Sequence, residues 1–336
     1  MTWVALAVLG FAVAIVLLTR TRGKRGATQT GIPDAEILGP SSKRGVPSLA
    51  FDEEPDAEAT LVAPSEDTGD VSVEPLIFGS DREREGGDST AGLMLVSAAA
   101  RTERGQLRKK NEDCQLARSE AGLFVVADGM GGYAGGELAS KIAVEVIGNA
   151  FERDAFTGPE IPGVRPAGGD VVRALRMANS AILEKARSTP AVAKMGTTVT
   201  VARFSPDKRH LYIGHVGDSR CYELRGTTLR LLTRDHTMAH HGVAGHAGKQ
   251  LSRAVGIRDE VGIDLSIEAP EPGDLYLLCT DGLTKMVPKE SIRQALIADT
   301  DLDQMANKLL DLCERAGGRD NVTLVLVRMV GTALPA

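Results

Sequence analysis

The chain has 336 residues and a formal charge of −6, with 43 % apolar and only 4 % aromatic residues. That balance excludes collagen-like, polytopic membrane and wholly disordered chains. It also argues against a nucleic-acid binder, which needs surplus Lys and Arg to neutralise phosphates.

Three unlike segments follow in chain order. Residues 2–19 (TWVALAVLGFAVAIVLLT) carry no charge over 18 residues. As a helix rising about 1.5 Å per residue, the run spans the hydrocarbon core of a bilayer. Arg20, Arg22, Lys24 and Arg25 come directly after it. A secretory signal peptide has the opposite order, basic residues before the apolar core. The expectation is therefore a single N-terminal transmembrane helix with the rest of the chain in the cytoplasm.

Residues 20–90 read as a basic juxtamembrane segment followed by an acidic linker. Between Thr28 and Asp88, 15 acidic residues face four basic ones, and Pro33, Pro40, Pro47, Pro55, Pro64 and Pro75 recur among few large apolar residues. Such a stretch buries too little surface to offset ordering entropy, so a disordered, charge-extended linker is expected.

Residues 93–330 remain as one globular domain, long enough for a sizeable core. Strands are predicted at Leu123–Ala127, Thr197–Phe204, His210–Val216, Leu275–Cys279 and Val322–Met329, where apolar, β-branched runs meet acidic or glycine-rich punctuation. Cys221–Leu224 and Leu229–Thr233 flank a hairpin turn at Arg225-Gly226-Thr227-Thr228. Helical spacing links Leu138, Ile142, Val146 and Ala150, then Val171, Leu175, Ala178 and Ile182, then Leu302, Met305, Leu309, Leu312 and Cys313. The order of strands and helices lacks strict βαβ alternation, so the expected class is α+β, layered. Cys114, Cys221, Cys279 and Cys313 lie far apart with no CxxC pair, which points to a reduced compartment and excludes a zinc ribbon.

Acidic residues punctuate the strand ends: Glu112-Asp113, Asp128-Gly129, Gly217-Asp218, Asp281-Gly282 and Asp320-Asn321. Carboxylates gathered from several strands repel one another unless a cation balances them. Hard oxygen donors suit Mg²⁺ or Mn²⁺, and two such ions can ready a bridging hydroxide for attack on a phosphoester. Arg108 stands nearby in sequence to fork phosphate oxygens. Taken singly, each Asp-Gly is more often a turn than a ligand.

The runs GQLRKKNED, VVADGMGGYAGGELAS, MGTTVTVA, GHVGDSRCYEL, LTRDHT, LSRAVG, PGDLYLLCTDGLT and GRDNVTLVLV occur in register. Together they resemble the metal-dependent type 2C (PPM-type) Ser/Thr protein phosphatases in their bacterial form, over about Leu95 to Arg328. The resemblance implies a four-layer α-β-β-α sandwich of two stacked sheets flanked by helices. It implies hydrolysis of phosphoserine and phosphothreonine on proteins, with two Mn²⁺ or Mg²⁺ ions and sometimes a third. By the same resemblance Asp128 and the Gly129 carbonyl bind metal, Asp128 bridging both ions, while Asp281 and Asp320 hold the second. Glu112 and Asp113 order metal-bound water, Arg108 binds the phosphate, Asp218 joins Asp281 at the third position, and Asn321 supports Asp320. With the anchor, the implied location is the cytoplasmic face of a bacterial inner membrane, and the implied partners are phosphorylated proteins such as membrane-proximal Ser/Thr kinases and their targets.

Three departures stand out. Met130 takes the place of a histidine that protonates the leaving group in animal members. Lys285 replaces a common acidic residue beside the third position. The flap between Thr237 and Leu251 is short and carries His240, His241 and His246 near His236; the flap histidines are read as exposed loop residues in preference to a transition-metal site or a substitute general acid. Two other functions compete: a catalytically inactive phosphoprotein-binding module of the same fold, and a hydrolase of small phosphoesters.

Overall fold

The computed structural model describes residues 75–78, 94–131 and 135–331. The expected anchor at 2–19, and the linker apart from 75–78, lie outside them. Among the described residues, no helix is long and apolar enough to cross a membrane.

In chain order, β1 (Leu76–Phe78), β2 (Met94–Glu103), β3 (Asp113–Arg118) and β4 (Leu123–Met130) precede α1 (Gly135–Glu152) and α2 (Pro166–Ser188). Then come β5 (Gly196–Thr197), β6 (Val199–Phe204), β7 (Leu211–Val216), β8 (Arg220–Arg225), β9 (Thr228–Leu231), a short α3 (Gly245–Gly248), β10 (Asp264–Glu268) and β11 (Leu275–Cys279). Helices α4 (Asp281–Met286), α5 (Lys289–Ile297) and α6 (Leu302–Arg315) lead into β12 (Val322–Gly331). One sheet runs β1-β10-β7-β6-β4-β3, with β5 beside the end of β4; the other runs β2-β12-β11-β8-β9.

Period-two alternation makes each strand two-faced. On β4, Phe124 and Val126 join Phe204 and Ile213 of the same sheet against Tyr276, Leu278, Val325 and Val327 of the other. The opposite face of β4, Leu123, Val125 and Ala127, packs under Ala143, Ile147, Leu175 and Ile182 of α1 and α2. The second sheet covers its outer face with Ile292, Met305, Leu309 and Cys313 of α5 and α6. Three cores therefore separate four layers, α-β-β-α.

Two expectations need correction. Residues 138, 142, 146 and 150 are not α1's deepest stripe: Leu138, Ile142 and Val146 are only partly buried, and Ala139, Ala143 and Ile147 lie deepest. Small residues go inward because α1 is packed tightly enough that a Cβ on Gly148 would sit 3.1 Å from the Leu116 side chain. The second difference is β1, which forms inside the segment expected to be disordered. It runs parallel to β10, whereas every other described strand pairing is antiparallel.

Candidate active site

Strand register brings the acidic residues to one end of both sheets. Asp113 opens β3 directly opposite Asp128 on β4. Strand β7 ends at Val216 opposite Val199, so Asp218 follows at that same end. In the second sheet, β11 finishes at Cys279 and β12 starts at Val322, which places Asp281 and Asp320 there as well. Two ties close the seam between the sheets. Thr280 Oγ1 donates to Asp113 Oδ2 at 2.8 Å, and the Glu112 N–H donates to Asn321 Oδ1 at 2.9 Å.

Two glycines are required by this geometry. Gly217 has φ +114°, and a Cβ there would meet the Thr198 side chain at 2.5 Å; only glycine turns the chain so sharply toward Asp218 at low cost. A Cβ on Gly129 would lie 2.1 Å from the Gly136 carbonyl oxygen and 2.6 Å from that of Glu112. The Gly129 N–H donates to that same Glu112 carbonyl. Residues 112, 129 and the start of α1 are thus locked backbone to backbone.

The electrostatics are those of an acidic cluster under burial. Asp128 is pushed well above the usual carboxylate range, first by burial and then by Asp113, Asp281, Asp218 and Asp320. Burial raises Asp113 to about 7 against its hydrogen bonds from Thr280 and Thr323, with Asp281 and Asp320 adding to the rise. Asp218 and Asp320 are raised by burial and by the Asp281 charge. Two cations reach in. Arg108 Nη2 lies 3.0 Å from Asp320 Oδ1, and Lys285 pairs with Asp281 one helical turn away. Although burial opposes it, the Lys285 ammonium is held above its ordinary range by Asp281, Asp218 and Asp128.

Asp320 faces Arg108, Asp281 faces Lys285 and Asp113 accepts from Thr280. Among the described residues no three His, Cys, Asp or Glu side chains already form a group that could hold a metal ion. The donor chemistry still fits one. All candidates are hard oxygens, they destabilise one another as anions, and Asp113 Oδ1 is buried without a hydrogen-bond partner. A divalent ion such as Mn²⁺ or Mg²⁺ relieves that repulsion. Arg108 Nε is likewise buried and unpartnered, leaving a donor for an anion.

Of the residues predicted from sequence, Asp113, Asp128, Asp218, Asp281, Asp320 and Arg108 share this end of the sandwich. Asn321 sits beneath them. Besides accepting from Glu112, it donates through Nδ2 to the Arg104 and Lys110 carbonyls at 2.7 and 2.8 Å, so it holds the whole 104–112 loop. Met130 is buried with Leu251 and Ala254 at the base of the flap. His240, His241 and His246 are exposed, as expected.

His236 is not an exposed loop histidine. It is 3 % exposed, its Nδ1 accepts from the Gly217 N–H at 3.1 Å, and its Nε2 lies 3.2 Å from Asp264 Oδ2. Sequence reasoning passed over this link because its partners, Gly217 and Asp264, lie 19 and 28 residues away in the chain. Asp235 was also missed; Arg220 grips it with two bonds of 2.9 and 2.6 Å.

A layered α-β-β-α sandwich with a carboxylate cluster and an arginine at one end defines a metal-assisted phosphoester hydrolase as its class. A family model described as protein phosphatase 2C matches residues 108–325. The serine/threonine phosphatase stp of Listeria welshimeri is 32 % identical over 248 residues, covering 69 % of this chain and 95 % of that protein. PstP of Mycobacterium tuberculosis, a serine/threonine protein phosphatase, is 34 % identical over 251 residues; the match covers 70 % of this chain but 46 % of that longer protein. The catalytic domain of PstP solved with two manganese ions superposes with a TM-score of 0.61 at 34 % identity, over 70 % of this chain and 99 % of that one. The chain belongs to the protein phosphatase 2C family.

Proposed function

We infer that this chain hydrolyses phosphoserine and phosphothreonine on proteins with the help of Mn²⁺ or Mg²⁺. The observation that carries the reading is the set of five aspartates brought together from separate segments, four of them (Asp113, Asp128, Asp218 and Asp320) raised in proton affinity by burial and by neighbouring carboxylates, beside an arginine with an unused donor. Its relatives bear the name of that activity.

The resemblance to the family supplies the roles. Asp128, with the Gly129 carbonyl, would serve both ions, and Asp281 and Asp320 would hold the second. Glu112 and Asp113 orient water, and Asn321 fixes the loop that carries them. Bound divalent ions supply charge neutralisation and an acidified water for attack on phosphorus. Arg108 grips two phosphate oxygens as the bond to the seryl or threonyl oxygen breaks. Met130 has no proton to give the departing alkoxide, so water supplies it. Asp218 and Asp281 offer a third ion position, which the Lys285 ammonium opposes.

For the N-terminal segment, we propose a membrane anchor at 2–19 that tethers the domain on the cytoplasmic face. The uncharged run followed by four basic residues supports it. Membrane-proximal phosphoproteins, Ser/Thr kinases among them, would then be met at raised effective concentration. Cell fractionation tests this: the full chain should pellet with membranes, and recovery in the soluble fraction would oppose the anchor.

Phosphate release tests the activity. A phosphothreonine peptide should be hydrolysed with Mn²⁺, and EDTA should abolish the release. Folded, manganese-loaded protein that releases no phosphate from the peptide would favour the binding module. Release from nucleotides but not from the peptide would favour a small-phosphoester hydrolase.

A further inference from the structure

The acidic N-terminal tract contains an apolar triplet, Leu76-Ile77-Phe78, bracketed by Pro75 and Gly79. In the fold this triplet is β1, laid along the outer edge of β10 with Leu76 opposite Asp264, Ile77 opposite Leu265 and Phe78 opposite Ser266. The Leu76 N–H donates to the Ile263 carbonyl at 3.0 Å. Without β1, strand β10 would end the sheet with an open row of backbone donors and acceptors, a template for any extended chain.

Three features distinguish β1 from an ordinary strand of the sandwich. Its pairing is parallel among antiparallel neighbours. Its side chains join none of the buried cores and remain 41–45 % exposed. Its Phe78 ring lies under the Arg234 guanidinium, 5.3 Å from the ring centre. Arg234 is itself anchored on Asp264 Oδ2 at 3.2 Å, and Arg253 holds the other carboxylate oxygen at 2.8 Å. The edge therefore presents two kinds of recognition at once: backbone pairing, and a cationic plate set for an aromatic side chain two positions along.

We propose that the outer edge of β10 is a docking site for an extended apolar peptide carrying an aromatic residue, filled in cis by this chain's own Leu76–Phe78. Backbone bonds supply most of the hold, and covalent attachment supplies the occupancy that three exposed side chains could not. The N-terminal segment is thereby moored to the seven-stranded sheet before the chain enters β2 of the other sheet.

Hydrogen exchange measured by mass spectrometry on the full chain tests this. Leu76→Pro removes the N–H that bonds Ile263, and Phe78→Ala removes the ring under Arg234; neither residue lies in a core or among the carboxylates. In the wild type the amides of Leu265 and Ile267, which lie on the same edge of β10 as the Ile263 carbonyl, should be protected by β1. They should exchange roughly tenfold faster or more in Leu76→Pro, with a smaller gain in Phe78→Ala. Adding the free peptide Glu-Pro-Leu-Ile-Phe-Gly should slow exchange again in Leu76→Pro. Unaltered p-nitrophenyl phosphate turnover in both variants shows that the domain is intact. Equal exchange in wild type and Leu76→Pro would overturn the docking, and so would a peptide that leaves the variant's exchange unchanged at millimolar concentration.

Discussion

At Asp128, burial and four neighbouring carboxylates all act in one direction. A residue chosen for stability would not be placed there. Asp128→Asn removes the charge while keeping the shape, so the metal-free variant should melt at or above the wild-type temperature. Its manganese affinity and phosphatase rate should each fall more than about 100-fold, beyond the 10–100-fold typical when only a ligand's supporting residue is lost. Calorimetry and phosphate release on one preparation check both halves. Lys285 carries the opposite charge in the same cluster, paired to Asp281 and felt by Asp218. While it stays, a third divalent ion must approach a fixed ammonium. Isothermal titration with Mn²⁺ should count two ions in the wild type and three in Lys285→Asp; three in the wild type would remove the assigned role of Lys285.

The site depends on which elements end together, and here the 104–112 loop matters most. Asn321 ties it through three hydrogen bonds to backbone groups. Asn321→Ala leaves those partners without it, which should cost about 1–3 kcal/mol of stability and weaken manganese binding by roughly 10–100-fold, read by denaturant unfolding and titration. Strands β4, β6, β7, β11 and β12 were legible because apolar, β-branched runs meet acidic or glycine-rich punctuation, and β8 and β9 because they flank the turn at Arg225-Gly226-Thr227-Thr228. Strand β2 was not, since Ser97-Ala98-Ala99-Ala100-Arg101 carries little strand signal, and its place is set by its long pairing with β12. Strand β10 alternates Leu265 and Ile267 with Asp264 and Ser266, but both polar residues are buried through partners distant in sequence. The Asp-Gly ligand motifs were readable as spacing. The bond that the Gly217 N–H, just before Asp218, donates to His236 was not, because the two residues lie 19 positions apart in the chain.

Across the molecule, the sandwich carries buried ionisable groups that couple stability to pH. Burial lowers His215 to about 3 from an ordinary value near 6.5. Between those limits the unfolded chain holds a proton that the native state does not, so stability falls as pH drops below 6.5. For one proton the slope is about 1.4 kcal/mol per pH unit. The raised aspartates of the metal-free protein have the opposite sign, so the difference between wild type and His215→Gln in unfolding at pH 4.5 to 7.5 isolates the histidine. That difference should shrink steadily on acidification. The larger question is whether the two sheets bring their acidic ends together in order to hold ions. Crystals grown with Mn²⁺ and measured at the manganese absorption edge answer it most directly. Two anomalous peaks are expected between the ends of β4 and β11, both touching Asp128, with the Lys285 ammonium turned away from one of them. Manganese bound elsewhere on the domain, with the five aspartates left to Arg108, Lys285 and Thr280, would contradict it.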